Sequence, residues 1–259
     1  MKKIVLVTGA SGLIGGLTIK HLGDKYLFRG LSRRAVPKIP HWKADISDMA
    51  AIRPAFDDVD TVLHLAAATG ADEWLAWNPT MSVTVQGTIN VYEAARTAGV
   101  RRVIQMSSGC VHLAYEWDPA YPFGTLVNGP EDQIPSSWPM VDESWPARPD
   151  SPYAVGKLFG ENLGRHYADK HGISTLVIRL GAVLPDDRPK LRRHMPGYLS
   201  QADAMQMIDK CLSAPDELKF EVFNAISNNR LRWRSIERAQ QVLGWSPTGS
   251  AEDHPTPSE

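Results

Sequence analysis

The chain has 259 residues, a formal net charge of -1 and 43% hydrophobic content, enough for one sizeable α/β core with a small appendage. A charge so near balance supplies no global field toward nucleic acid or an anionic membrane. Its two cysteines, Cys110 and Cys211, have neither metal-ligand nor disulfide-framework spacing, and no apolar run is long enough for a bilayer; the expectation is a cytoplasmic, metal-free chain without a signal peptide.

The first element is an apolar strand, Ile4 to Val7, running into Thr8-Gly9-Ala10-Ser11-Gly12-Leu13-Ile14-Gly15. A helical apolar pattern (Leu13, Ile14, Leu17, Ile19, Leu22) follows at once. In this strand-to-helix context the glycines divide the work. Gly9 serves the tight turn, Gly12 the close approach of a pyrophosphate, and Gly15 the packing of helix on strand. The N–H groups and dipole at the start of that helix, from Ser11 through Ile14, favour phosphate charge.

Tyr26 to Leu31 reads as the second strand, followed by a short strand ending near Asp45 and a helix from Ser47 to about Phe56. Thr61 to Leu65 is a compact apolar strand, and a helix follows from about Pro79 to Ala98, closed by Gly99. Val103 to Met106 is the next strand; a long helix spans about Pro152 to His171 with Gly172 as its stop, and Ser174 to Leu180 is a further strand. Such alternation predicts a Rossmann-type doubly wound parallel sheet covered by helices on both faces. Residues 111–150, rich in proline and aromatics, break the rhythm and read as a surface excursion with its own small core, a lid or a subunit contact. A helix (about Gln201 to Ser213), a strand (Phe220 to Ala225) and a helix (about Ser235 to Leu243) suggest a small substrate-binding cap. The expected organisation is therefore a dinucleotide-binding domain over 1–180, the cap over 181–248 and a flexible tail over 249–259.

Tyr153 and Lys157 stand at i and i+4 on one helix face. An ammonium there favours the tyrosinate, making Tyr153 a usable proton donor or acceptor for an alcohol–carbonyl pair. The strand before this helix ends in Met106-Ser107-Ser108-Gly109-Cys110; Ser108, with Ser107 as the alternative, is the candidate for polarising a substrate oxygen.

Together, the glycine turn, the strand end His64-Leu65-Ala66-Ala67, Ser107-Ser108, and Tyr153 to Lys157 followed by Gly160-Glu161 resemble the extended short-chain dehydrogenase/reductase family, the NAD-dependent epimerase/dehydratase group, over about residues 1–245. The resemblance implies a bound nicotinamide dinucleotide and a catalytic set of Ser108, Tyr153 and Lys157. It implies Asp45 and Ile46 along the adenine, Leu65, Ala66 and Ala67 under the ribose and pyrophosphate, and the segment Arg179 to Val183, with Leu180, Ala182 and Val183 as cofactor contacts, beside the nicotinamide, with Met106 in the same set. Pro146 to Asp150, Gly160 to Leu163, Tyr198-Leu199-Ser200 and Leu243-Gly244-Trp245 further resemble the uronate dehydrogenase type. By that resemblance Arg193 holds a substrate carboxylate and Thr69, Ser108 and Gly109 face the substrate, and a homodimer forms through the helices near 79–98 and 152–171. Three features depart from the type: Gly109-Cys110 stand where it carries Asn-His, Thr84 stands where the family usually has Asn, and the 111–150 excursion is longer.

After the second strand, an NAD enzyme usually offers a carboxylate to the ribose 2′-hydroxyl. This chain has Ser32-Arg33-Arg34 instead, which suits a 2′-phosphate, so NADP is favoured over NAD. The expected function is hydride transfer between the nicotinamide and a carbonyl/alcohol substrate, a sugar or sugar acid. The alternatives are a nucleotide-sugar epimerase or dehydratase, or a non-catalytic dinucleotide-sensing regulator.

Overall fold

The computed structural model describes residues 2–70 and 73–255. In chain order the elements are β1 (Ile4–Thr8), α1 (Leu13–Leu22), β2 (Leu27–Ser32), β3 (His41–Lys43), α2 (Met49–Ile52), β4 (Thr61–His64), α3 (Trp77–Pro79), α4 (Gly87–Ala98), β5 (Arg102–Ser108), α5 (Phe123–Asn128), α6 (Pro152–His171), β6 (Ser174–Leu180), α7 (Gln201–Ser213), β7 (Phe220–Ala225) and α8 (Glu237–Leu243). The strands form a seven-stranded sheet ordered β3-β2-β1-β4-β5-β6-β7, the expected doubly wound arrangement, with parallel register from β3 through β5. Strand order reverses between β1 and β4, and open α/β sheets bind ligands in the crevice at such a switch point, beyond the strand C-termini. Every residue of β4 and β5 is buried, so neither strand has the in–out alternation of a half-exposed one.

Local signals set the helix ends. Ser151 caps α6 by accepting from the Ala154 N–H, Pro152 occupies its first turn, and Gly172 closes it in the left-handed conformation at φ 71°. The expected helix from Ser47 starts on an Asp48 cap and tightens into a 3-10 turn over Arg53–Phe56, where Pro54 interrupts the hydrogen-bond ladder. The helix expected from Pro79 departs more: α3 widens into a π-helical stretch over Thr80–Gln86 before α4 begins. Within that stretch Thr84 Oγ1 accepts from the Ala68 N–H at 3.1 Å, tying it to the segment after β4.

The chain forms two compact units, Met1–Ser107 with Ser151–Val177 and Cys211–Val222, and Ser108–Asp150 with Ile178–Lys210 and Phe223–Glu259. The first has a core of Leu6, Leu31, Ile52, Phe56, Val62, Val91, Tyr92 and Val103. Residues 211–222, expected in the cap, belong to this unit. The reason is Arg102, fully buried, whose Nε donates to Ser174 Oγ at 2.9 Å and whose Nη1 and Nη2 donate to Ala214 O at 2.7 Å and Pro215 O at 2.6 Å. A buried guanidinium must have acceptors, and the carbonyls just past α7 supply them.

The second unit has its own aromatic core, to which the 111–150 segment contributes Tyr115, Phe123, Leu126 and Val141 beside Leu231 and Trp233. Tyr121 stacks on Phe123 at 5.3 Å between centroids, Phe123 on Trp233 at 4.7 Å, and Trp145 meets Tyr115 edge-on at 5.4 Å. Tyr115 Oη donates to Pro146 O at 3.0 Å and Trp138 Nε1 to Arg232 O at 3.0 Å, so the polar ends of these rings are satisfied. The expected flexible tail is docked through residue 255. Buried Asp203 accepts from the Thr248 N–H at 2.8 Å and the Gly249 N–H at 3.0 Å, and Ala251 is fully buried; a buried carboxylate requires such donors. The remainder of that tail, residues 256–259, lies outside the described residues.

Candidate active site

The glycine turn lies in the first unit and divides its work as expected at two positions. Gly9 adopts φ 69°, and a Cβ there would fall 2.9 Å from the Ala66 backbone N; a Cβ at Gly15 would fall 2.7 Å from Ala10 Cα. Gly12 is the N-cap of α1 and offers no side-chain cap; a Cβ there would meet only Gly9 O, at 3.3 Å. The first-turn amides of α1, with Leu13 and Ile14 among them, therefore lack a side-chain cap, the arrangement that accommodates an anion.

A cleft of about 520 Å³ opens beside this turn, within the usual size of a cofactor site. Its walls bring together many of the sequence-derived positions: Gly9, Ser11 and Gly12; Ser32, Arg33 and Arg34 after β2; Asp45 and Ile46; and Leu65, Ala66, Ala67 and Thr69 after β4. Leu31, Ala44, Gly70, Glu73 and Val83 also line it. Leu31 and Ala44 immediately precede motif residues, whereas Glu73 and Val83 carry no pattern in the sequence that announces them. Arg33 and Arg34 are exposed, and Arg34 Nη2 donates to Ser11 O at 3.4 Å. Ser32 Oγ donates to Arg34 O at 2.8 Å, bracing the turn that carries both guanidiniums. The Ser47 backbone N–H, with the Ser47 hydroxyl and the Arg33 charge, holds the Asp45 carboxyl below the usual carboxylate range.

The Tyr153–Lys157 pair belongs to the same unit. Lys157 is buried, its Nζ donates to Met106 O at 2.8 Å and lies 5.5 Å from the Tyr153 ring centroid. The Tyr153 backbone N–H donates to Trp74 O at 3.1 Å. Glycines at every fourth position of α6 let it sit close to its neighbours: a Cβ at Gly156 would meet Thr80 at 2.8 Å, at Gly160 Gln105 at 2.8 Å, and at Gly164 Thr175 at 2.6 Å. The two serines ending β5 separate cleanly. Ser107 Oγ donates to buried Glu161 at 2.5 Å, while Ser108 accepts from the Cys110 N–H at 3.2 Å and keeps a donor hydrogen of its own.

His64, at the end of β4, is a structural group. Thr88 Oγ1 donates to Thr84 O, so it accepts from His64 Nε2–H at 3.0 Å, and Nδ1 accepts from Thr8 Oγ1 at 2.7 Å. Burial, with the Lys157 charge, pulls its pKa down to about 3, and burial likewise pulls His112 to about 3. Both pKa values lie below their unfolded values, so each histidine stabilises the fold above about pH 6.5 and less as pH falls toward 3. Between pH 7 and pH 5 each should cost about 2 kcal/mol. Urea unfolding at the two pH values should show that loss, and it should be smaller in His64→Gln; an equal loss in wild type and variant would show that His64 does not titrate this way.

In the second unit, Ser108 caps the 3-10 stretch Gly109–Trp117, Leu180 ends β6, and Ala182 bridges to Tyr198 with Val183 following it. Arg193 is exposed on a 3-10 turn over Arg192–Gly197. Gly109 is covered by a residue that sequence reasoning missed: a Cβ at Gly109 would fall 2.4 Å from Arg234 Nη1. No local pattern marks Arg234, because the contact spans 125 positions.

Among the described residues no cluster of three His, Cys, Asp or Glu side chains is arranged to hold a metal, and no helix is long and apolar enough to cross a membrane. The chain is 32% identical over 257 residues to the NAD-dependent glucose-6-phosphate dehydrogenase of Haloferax volcanii, covering 95% of this chain and 94% of the relative. It is 29% identical over 254 residues to the uronate dehydrogenase of Pseudomonas putida, covering 96% and 85%. The crystal structure of a mutant uronate dehydrogenase from Agrobacterium tumefaciens complexed with NAD superposes with a TM-score of 0.80 at 26% identity, covering all of this chain and 92% of that one. The model of the NAD dependent epimerase/dehydratase family matches residues 5–216. With the glycine turn, the cleft and the Tyr153–Lys157 pair all inside that span, the chain belongs to the NAD dependent epimerase/dehydratase family.

Proposed function

We propose that this protein is an oxidoreductase moving hydride between a nicotinamide dinucleotide, NADP in preference to NAD, and a CH–OH or carbonyl group of a sugar or sugar acid. The observation that carries the reading is the buried Lys157 ammonium on Met106 O, beside the Tyr153 ring, in the unit that also holds the cleft. The residues present fit a dinucleotide: uncapped amides follow Gly12, apolar Ile46 and Leu65 line the walls, and two guanidiniums stand at the rim. Gly9, Ser11, Gly12 and Gly15 would form the pyrophosphate turn, with Asp45, Ile46 and the Leu65–Ala67 segment along the nucleoside portions. When bound, the nicotinamide supplies the site that accepts or gives hydride.

The chain's own residues manage one proton and one oxygen. Tyr153 takes the hydroxyl proton of the sugar during oxidation and returns it during reduction. Lys157 favours the tyrosinate by its charge. Ser108 donates its hydroxyl hydrogen to the substrate oxygen, a role open to it because Ser107 is engaged by Glu161. Arg193, Thr69 and Gly109 are the further substrate-side residues of this reading.

The NADP preference rests on the turn after β2. It carries no carboxylate to repel a 2′-phosphate, and Arg33 and Arg34 are both exposed at the cleft. A guanidinium–phosphate hydrogen bond contributes about 1.5–3 kcal/mol. Arg33→Ala should therefore weaken NADPH about 10- to 100-fold and NADH less than about twofold. Fluorescence titration with both cofactors checks this; equal losses would assign Arg33 to solvation of the loop.

A further inference from the structure

Arg234 is the feature that neither the motifs nor the proton chemistry uses. Its segment is pinned in the second unit, where Val141 N–H donates to Trp233 O at 2.8 Å and Ser235 N–H donates to Val141 O at 2.8 Å. The residue is buried, with only 5% of its surface exposed. Its Cζ lies 4.7 Å from the Trp233 ring centroid, and Nη1 donates to Gly109 O at 2.7 Å. That is its one protein hydrogen bond among the described residues: Nε is buried without a partner, and no carboxylate forms an ion pair with it. Two glycines make the seat. A Cβ at Gly109 would fall 2.4 Å from Nη1 and one at Gly197 would fall 3.1 Å from Nη2.

A buried guanidinium presents five donors and tolerates desolvation only when they are met. Here one is met. Glu116 and Asp150 are the carboxylates that bear on it, yet neither comes close enough to pair, and burial pushes the Glu116 carboxyl up toward its neutral form. Among the described residues the chain supplies no further acceptor, and an oxyanion would supply two. The seat also begins at the residue directly after Ser108, where Gly109 projects no side chain.

We propose that Arg234 is a substrate-specificity residue whose guanidinium, seated against Gly109 next to Ser108, receives an oxyanion of the sugar, carboxylate or phosphate. The assignment rests on the sugar-oxidoreductase reading above. Arg234 thus occupies the space left by the glycine and contributes a planar fork suited to two-oxygen recognition.

The proposal is tested by calorimetric titration of the enzyme loaded with NADPH, which prevents oxidation of the sugar, using glucuronate, glucose 6-phosphate and neutral glucose. Wild type should bind at least one oxyanion sugar about tenfold or more tighter than glucose; the glucuronate arm reads carboxylate and the glucose 6-phosphate arm reads phosphate. Arg234→Met should reduce that advantage about 10- to 100-fold, and Arg234→Lys should restore part of it. Gly109→Ala keeps the charge but displaces the fork, and should lower the same advantage; thermal melts and NADPH affinity report whether each variant is folded. A wild type that binds the three sugars alike, or an advantage that survives both Arg234→Met and Gly109→Ala, overturns the assignment and leaves Arg234 as an anchor of the Gly109 carbonyl. The expected binding pattern without any sugar oxidation by wild type and NADP would overturn the oxidoreductase reading and leave Arg234 as an oxyanion site.

Discussion

Tyr153→Phe should lower kcat for sugar oxidation by about 10²- to 10⁴-fold, the range contributed by a positioned acid–base group, while leaving NADPH affinity within about twofold. The substitution removes only the phenol oxygen. The ring stays beside Lys157, and the backbone N–H of residue 153 still reaches Trp74 O, so the helix start and the cleft keep their geometry. Lys157→Met makes a useful partner measurement. It deletes the donor to Met106 O, and it removes the charge that favours the tyrosinate. Its residual activity should therefore rise at higher pH than in wild type, a displacement that destabilisation alone does not produce. Steady-state kinetics across pH with both variants checks the pair. A folded Tyr153→Phe enzyme retaining kcat within about threefold would remove Tyr153 from proton transfer.

What was legible in the sequence follows the range of the physics involved. The strands β1, β4 and β5, the helix stops at Gly99 and Gly172, and the glycine turn are set by residues within a few positions of one another. Each could be read from local pattern. The place of Arg33 and Arg34 at the cleft was legible for the same reason, because they directly follow β2. The π-helical stretch at Thr80–Gln86 was not, because it is held by Thr84 reaching Ala68 and by α6 pressing Gly156 against Thr80. Nor was the membership of residues 211–222, which depends on one buried arginine more than 100 positions upstream. The docked tail shows the same rule: a proline-bearing polar segment has no core signal of its own, and its order comes from the unmet acceptors of Asp203. In the candidate site, the pairing of Tyr153 with Lys157 was recoverable from i, i+4 spacing, whereas the contact of Arg234 with Gly109 needed the three-dimensional path of the chain.

Gly9→Ala should be strongly damaging, and Gly16→Ala, seven residues on, should go the other way. At Gly9 the backbone sits at φ 69°, and the added methyl meets Ala66 N at 2.9 Å, Ala66 Cα at 3.0 Å and Leu65 C at 3.2 Å. All three are main-chain atoms, so no rotamer change relieves the contact. The left-handed conformation costs a non-glycine residue roughly 1–2 kcal/mol and the overpacking about 1–3 kcal/mol more, which lowers Tm by about 5–15 °C at this size. The same collision pushes the Leu65–Ala67 segment that lines the cleft, so NADPH affinity should fall at least about tenfold with it. Gly16 is exposed within α1, and a methyl there meets nothing within 4 Å. Alanine in an exposed helical site is worth about 0.5–1 kcal/mol over glycine, so Tm should rise by about 1–4 °C with cofactor binding unaltered. Differential scanning fluorimetry with and without NADPH reads both outcomes on one scale. A Gly9→Ala protein that melts with wild type and is stabilised equally by NADPH would mean that the turn neither depends on its left-handed glycine nor shapes the cleft.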